Sequence, residues 1–223
     1  MNINKIAFAE RLRSKARDTK CIMQKVLLHL GYIDGIILDC GCGYGFWTSN
    51  LEPHCKFIVG TDIRDIFDRN KLSQKLDFIL ADGYKLPFKD ESFECVVLFD
   101  VLEHTDNDLA FLRDSHRVLK SRGFLLISVP NRERLIHQIK KLIGTPVRYP
   151  LRLGVDHYTS EDTEGQWHFR EYSRKELNEL LRNDFEAQHI EGVWLGFGSK
   201  GIGAFPSIFE RFAQIWLAKA IKR

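Results

Sequence analysis

Four aspartates, Asp39, Asp62, Asp82 and Asp100, each close a short apolar run in the first half of the chain. Aspartate also starts turns and caps helices, so one such residue says little. Four in succession are a stronger signal, because ligands of open α/β sheets bind at the carboxyl ends of the strands. The first is followed by Cys40-Gly41-Cys42-Gly43-Tyr44-Gly45. Glycines there allow positive φ and close approach of backbone to a ligand. The loop is neither the G-x-G-x-x-G of dinucleotide enzymes nor a P-loop with its lysine. An acid ahead of alternating glycines is awkward for a pyrophosphate and suits a cationic ligand. His104, just past Asp100 and Glu103, adds a group able to accept a proton near neutral pH.

Elements must bring these residues together. Apolar runs at 36–38, 57–59, 78–80, 93–99 and 124–129 read as strands. Their continuity, in place of alternation, predicts strands covered on both faces of a parallel sheet. Helical spacing between them, at 46–51 and 109–119, predicts a doubly wound α/β fold. Ile6, Leu12, Ile22, Val26, Leu27 and Leu30 predict a basic helical segment within 1–31 that stops at Gly31. The stretch 144–172 breaks the rhythm with prolines, glycines and aromatics, and is read as a functional insertion. Ser173 with Glu176 forms a capping-box signature, and 185–195 reads as a further strand.

With these residues in view, the chain resembles the class I S-adenosylmethionine-dependent methyltransferases. The acidic-x-Gly-x-Gly-x-Gly motif matches Asp39 to Gly45, the second acid matches Asp62, and Ala81-Asp82-Gly83 follows the third strand. Asp100-Val101-Leu102-Glu103-His104 looks like the segment after the fourth strand in the branch that includes ubiquinone- and menaquinone-type enzymes. The resemblance implies one domain over 1–223 with a Rossmann-like, mostly parallel sheet and an antiparallel C-terminal strand at about 215–221, although Ala213 to Ile221 is acceptable as helix on composition. It implies S-adenosylmethionine as donor and S-adenosylhomocysteine as product. Gly41, Cys42 and Gly43 would border the methionine and ribose moieties, and Asp39 the ammonium end. Asp62 would take the ribose hydroxyls. Asp82 and Gly83 would bind the adenine edge, between Ile63 and Leu86. Phe99, Asp100 and Val101 would line the sulfonium side.

The acceptor is narrowed by what is missing. No Pro-Pro-aromatic motif follows the fourth strand and no Pro-Cys pair occurs, so the motifs of amino-group and cytosine-C5 nucleic-acid enzymes are absent. The resemblance therefore implies a small-molecule, quinone-like or lipid- or glycan-linked acceptor, methylated at oxygen, with 144–172 as a lid. His168 and Arg170, in a His-x-Arg segment, are candidates to face it, His168 also as a second catalytic candidate beside His104, or to be tied up locally. His104 has three readings: general base, metal ligand with Asp100 and Glu103 as in ubiquinone-type O-methyltransferases, or the start of a helix. No metal set is assigned. Other classes kept in view are a non-catalytic S-adenosylmethionine-binding regulator and an RNA or protein methyltransferase.

Composition fits this frame. The chain has 223 residues, 44% hydrophobic and 28% charged, with 33 basic against 30 acidic side chains, too even for a dedicated nucleic-acid binder. Cys21, Cys40, Cys42, Cys55 and Cys95 are odd in number and lack a Cys-x-x-Cys, which predicts free thiols in a reducing, cytoplasmic setting. No apolar run reaches the roughly 18 residues of a membrane span; weak contact with a membrane surface is compatible with the basic start.

Overall fold

The computed structural model describes residues 19–148, 151–152, 167–197 and 200–223. Helix α1 (Thr19–Leu30) leads into β1 (Ile33–Cys40), α2 (Phe46–Leu51), β2 (Cys55–Asp62), β3 (Leu76–Leu80) and β4 (Phe93–Phe99). Then come α3 (Asp108–Val118), β5 (Leu119–Pro130), α4 (Leu135–Leu142), the short β6 (Leu151–Arg152) and β7 (Trp167–His168), and α5 (Arg174–Leu181). β8 (Phe185–Val193), the hairpin β9 (Leu195–Phe197) and β10 (Lys200–Ile202), and β11 (Ile215–Lys222) complete the order. One seven-stranded sheet runs β3-β2-β1-β4-β5-β11-β8, with its first five strands parallel and β11 antiparallel to both neighbours.

Two apolar layers sandwich the sheet, as unbroken hydrophobic strands require. One holds Leu38, Val96, Leu98 and Leu125; the other holds Ile37, Ile58, Val97 and Leu126, with α1 and α2 packed on it. Successive residues of each strand thus feed opposite layers.

The local signals act as expected. Gly31, at φ 66°, donates its amide to the Leu27 carbonyl and ends α1. Ser173 and Glu176 form the reciprocal capping box of α5. The helix expected over 109–119 begins at Asp108 under an N-cap by Asn107, whose side chain accepts from the Ala110 amide. β1 and β5 extend several residues before their apolar runs, because pairing with β2 and β4 supplies backbone partners that hydrophobicity does not record. β11 is a strand despite acceptable helix composition: it fills the gap between β5 and β8, satisfying both. Asn131, fully buried, donates to the Arg211 and Ala213 carbonyls and ties the end of β5 to the start of β11. The part of the N-terminal helical expectation before Thr19, and 149–150 and 153–166 of the 144–172 insertion, lie outside the described residues.

Candidate functional site

The glycine loop lies at the carboxyl end of β1, against that of β2. Gly41, Gly43 and Gly45 have φ of 83°, 54° and 78°. A side chain at Gly41 would put its Cβ 2.5 Å from Val101, and one at Gly45 would collide with Phe67. The Gly41 and Cys42 amides both donate to the Thr61 carbonyl, at 2.7 and 2.9 Å. Asp62, one residue further, accepts from the Gly43 amide through Oδ2 and the Arg64 amide through Oδ1, each at 2.9 Å. A carboxylate has about four acceptor positions. Two amides fix its plane and leave acceptor capacity toward the cavity that it lines.

That cavity, of about 430 Å³, opens above the ends of β1, β2 and β4. It is bordered by Gly41, Gly43, Asp62, Ile63, Asp82, Gly83, Asp100, Val101 and His104, nine of the residues singled out from sequence. Ile63 is 67% exposed, a large aliphatic left uncovered at the wall. The Asp82 carboxylate accepts from the Tyr84 amide at 2.9 Å. A Cβ at Gly83 would collide with the Phe111 ring, so only glycine lets that ring close the cavity.

Four of the residues expected at the cofactor lie elsewhere. Cys42 turns its thiol onto Gly60, beneath the loop, where burial pushes its pKa well up. Asp39 is 1% exposed and accepts from the Thr48 hydroxyl at 2.6 Å, so it holds α2 under the loop without bordering the cavity. Leu86 and Phe99 belong to the two core layers; Phe99 packs on Trp47, with ring centroids 4.6 Å apart. In Leu86's place the wall carries Tyr84, edge-on to Phe111 at 5.3 Å. The Tyr84 hydroxyl donates to Asp106 at 2.6 Å. Burial and that acid raise the Tyr84 pKa, so the phenol stays protonated. Cys40, Thr105 and Phe169 also border the space, and sequence reading missed them. Adjacency to Gly41 could have suggested Cys40; no local signal marks Phe169.

At the far end, Asp100 takes the uncommon φ of 57° while its amide donates to the Ser128 carbonyl. The chain then turns through the 3₁₀ segment Leu102–His104. His104 faces the cavity. His168 does not: it lies behind His104, with ring centroids 4.9 Å apart. Its Nδ1 is 3.0 Å from Glu171 Oε1. Glu171 has a fully buried side chain and takes a bidentate bond from Arg134, both contacts 2.8 Å. His137, at 3.5 Å, has its pKa lowered by burial and by Arg134. Arg170 also stands outside the cavity, donating to Asp108 at 2.9 Å and to the Asp106 carbonyl at 3.1 Å. Both lid candidates therefore support the His104 turn and do not line the cavity; the Phe169 amide, donating to the Glu103 carbonyl, clamps it further. Glu103, His104 and His168 each bring one donor atom within 4.8 Å of the others. Among the described residues these three, and not Asp100 with Glu103 and His104, are the set that could hold a metal ion.

The comparisons agree with this geometry. Residues 38–127 match the family model described as a methyltransferase domain. A ubiquinone/menaquinone biosynthesis C-methyltransferase of Blochmanniella pennsylvanica is 34% identical over 50% of this chain and 49% of its own length. A probable S-adenosylmethionine-dependent methyltransferase of Mycolicibacterium smegmatis is 28% identical over 73% and 56%. Over residues 38–127 the chain is thus similar to the class I S-adenosylmethionine-dependent methyltransferases. It spans about half the length of the curated relatives it matches. The fold agrees with a solved S-adenosylmethionine-dependent methyltransferase of Thermotoga maritima, at a TM-score of 0.65 and 16% identity over 99% of this chain and 96% of that one.

The site fits the methyltransferase cofactor on its own terms. A cradle of positive-φ glycines, a carboxylate positioned by two amides, a second carboxylate beside the Gly83 turn and an exposed isoleucine match a ligand with hydroxyls, an amino-purine and a flat apolar surface.

Proposed function

We propose that this methyltransferase-family chain methylates a hydroxyl oxygen of a small-molecule acceptor, quinone-like or lipid- or glycan-linked, with His104 as the general base. The supporting observation is that the His104 imidazole borders the same cavity as Asp62 and Asp82, so proton removal and donor binding share one space. Bound S-adenosylmethionine supplies an already activated methyl group, so the protein's work is positioning, desolvation and proton transfer.

In this reading Asp62 accepts from the ribose hydroxyls, a charge-assisted pair. Asp82 accepts from the adenine amino group and the Gly83 amide donates to the ring. Ile63 and Tyr84 flank the base. At the other end, neutral His104 takes the proton of the acceptor hydroxyl as the oxygen becomes methylated. Glu171, held by Arg134, fixes His168, which packs on the His104 ring and limits its rotation. The 144–172 segment is read as a lid whose C-terminal end is bolted to the 102–108 turn through Phe169, Arg170 and Tyr172.

The test is S-adenosylhomocysteine release with cell extract separated into small-molecule and lipid fractions and a macromolecular fraction. Turnover with the first group and mass spectrometry showing O-methyl product support the reading. Turnover confined to RNA or protein overturns the acceptor assignment. Tight cofactor binding with no turnover in any fraction favours a regulatory, non-catalytic role.

A further inference from the structure

Helix α4 is packed inside out. Leu135, Ile136, Ile139, Leu142 and Ile143 fall at i, i+1, i+4, i+7 and i+8, one continuous face of a helix. In an ordinary surface helix that face meets the core. Here the buried residue of the helix is His137, on the opposite side. Leu142 is 86% exposed, Ile143 68% and Ile139 38%. The neighbouring elements add to the apolar surface. β9 packs beside α4 and also beside the 3₁₀ turn Ser207–Phe212. The β9–β10 hairpin exposes Ile202 at 54%, and the turn exposes Ile208 at 73% and Phe209 at 42%. Singly exposed apolar side chains are ordinary; six on adjoining elements, five aliphatic and one aromatic, mark an interaction surface.

Its charge indicates the partner. From Leu135 to Arg148 there is no acid, while Lys140, Lys141 and Arg148 are basic and exposed. Arg211 adds a cation beside the turn, against Glu210, which is partly buried. An apolar face with lysines at its flank is the pattern of helices that lie in the interface of a bilayer, apolar side down, with cations at anionic headgroups. A protein partner for six apolar side chains would need no such one-signed rim. The surface sits at the carboxyl end of β5, on the sheet edge that also carries the cavity.

We propose that α4 and the β10–Phe212 segment dock this protein peripherally on an anionic membrane surface. The docking places the cavity mouth beside the bilayer. It stands whether or not the acceptor is a lipid, because neither cofactor nor acceptor enters the test.

The experiment is sedimentation of the full chain with vesicles of phosphatidylcholine alone or containing 30–40% phosphatidylglycerol, about the anionic content that gives a strong surface potential. Binding to the anionic vesicles is expected, weakening as salt rises. Each lysine near such a surface contributes roughly a fivefold change in partitioning, so Lys140→Glu with Lys141→Glu should lower it by at least about 25-fold. Leu142→Ser with Ile143→Ser should lower it by at least about tenfold. Both pairs are solvent-exposed, and an unchanged thermal melt verifies that the variants fold. No binding to anionic vesicles at low salt overturns the proposal. Binding that neither pair weakens places the contact elsewhere and also overturns it. Light scattering that shows a dimer, dissolved by Leu142→Ser with Ile143→Ser, assigns the face to a second copy instead.

Discussion

Replacing Asp62 tests the donor side of the site most directly, because the carboxylate has two duties that can be read separately. Its two oxygens accept the Gly43 and Arg64 amides at 2.9 Å, which fixes the glycine loop. Its remaining acceptor capacity faces the cavity. Asp62→Ala removes both. A hydrogen bond to a charged group contributes about 1.5–3 kcal/mol, so losing the ribose contact should weaken S-adenosylhomocysteine binding by roughly ten- to 150-fold. The unsatisfied Gly43 and Arg64 amides should lower the melting temperature by a few degrees as well. Asp62→Asn sharpens the argument. An amide side chain has one acceptor oxygen and one donor nitrogen, so it can serve one of the two backbone amides and turns a donor on the other. The isosteric change should therefore behave nearly as badly as alanine in both readouts. Titration calorimetry with the product, together with a thermal melt, gives both numbers. Affinity within about threefold of wild type for Asp62→Ala would refute the ribose assignment. A fully neutral Asp62→Asn would show that the carboxylate does not organise the loop.

His104→Ala should lower kcat by about 10²–10⁴-fold with product affinity little changed, measured with an acceptor identified from the extract assay; turnover within threefold of wild type removes the general-base role. Glu171→Ala leaves Arg134 without its buried partner and should cost about 3–5 kcal/mol, read by chemical denaturation, whereas Arg134→Met with Glu171→Leu should recover most of it. At Glu191, burial alone would raise the pKa, but bonds from Lys25 and His29 outweigh it and hold the group below the usual range. A depressed folded pKa contributes stability above the unfolded value of about 4.3 and loses it as pH falls through the folded pKa. Stability measured from pH 6 to 3 should thus fall more steeply for wild type than for Glu191→Gln; parallel curves would show that the α1–β8 contact does not titrate.

The strand ends were legible because each apolar run stops at a polar residue that begins a turn, and the β11 strand was legible only through the resemblance, since its own residues tolerate helix. The site was legible by position and not by face. Asp39 precedes the cavity-lining Cys40 on β1, where a one-residue step reverses the side presented, while Cys42 lies between Gly41 and Gly43, and Phe99 before Asp100, where positive φ overrides the strand period. The motif names the neighbourhood but leaves that parity to the three-dimensional pairing of Gly41 and Cys42 with Thr61. His168, Glu171 and Arg134 gather around His104 from segments well apart in sequence, and no local spacing encodes that meeting.

The place of β11 between β5 and β8 also sets the order in which this protein can assemble during synthesis. β5 is complete long before β11: Pro130 waits about 85 residues for its partner Ile215, and β8 ends at Val193, nearer to β11. At the roughly 5–20 residues per second of translation, that is on the order of ten seconds. Through that interval the nascent sheet carries an open edge along β5, and once made β8 also has nothing to pair with until β11 follows, a state prone to pairing with another chain. Closing so long a loop is also slow relative to the local βα units. β11 is therefore a keystone: a chain interrupted before Ile215 should form the glycine loop and its neighbouring strands, yet stay dependent on chaperones.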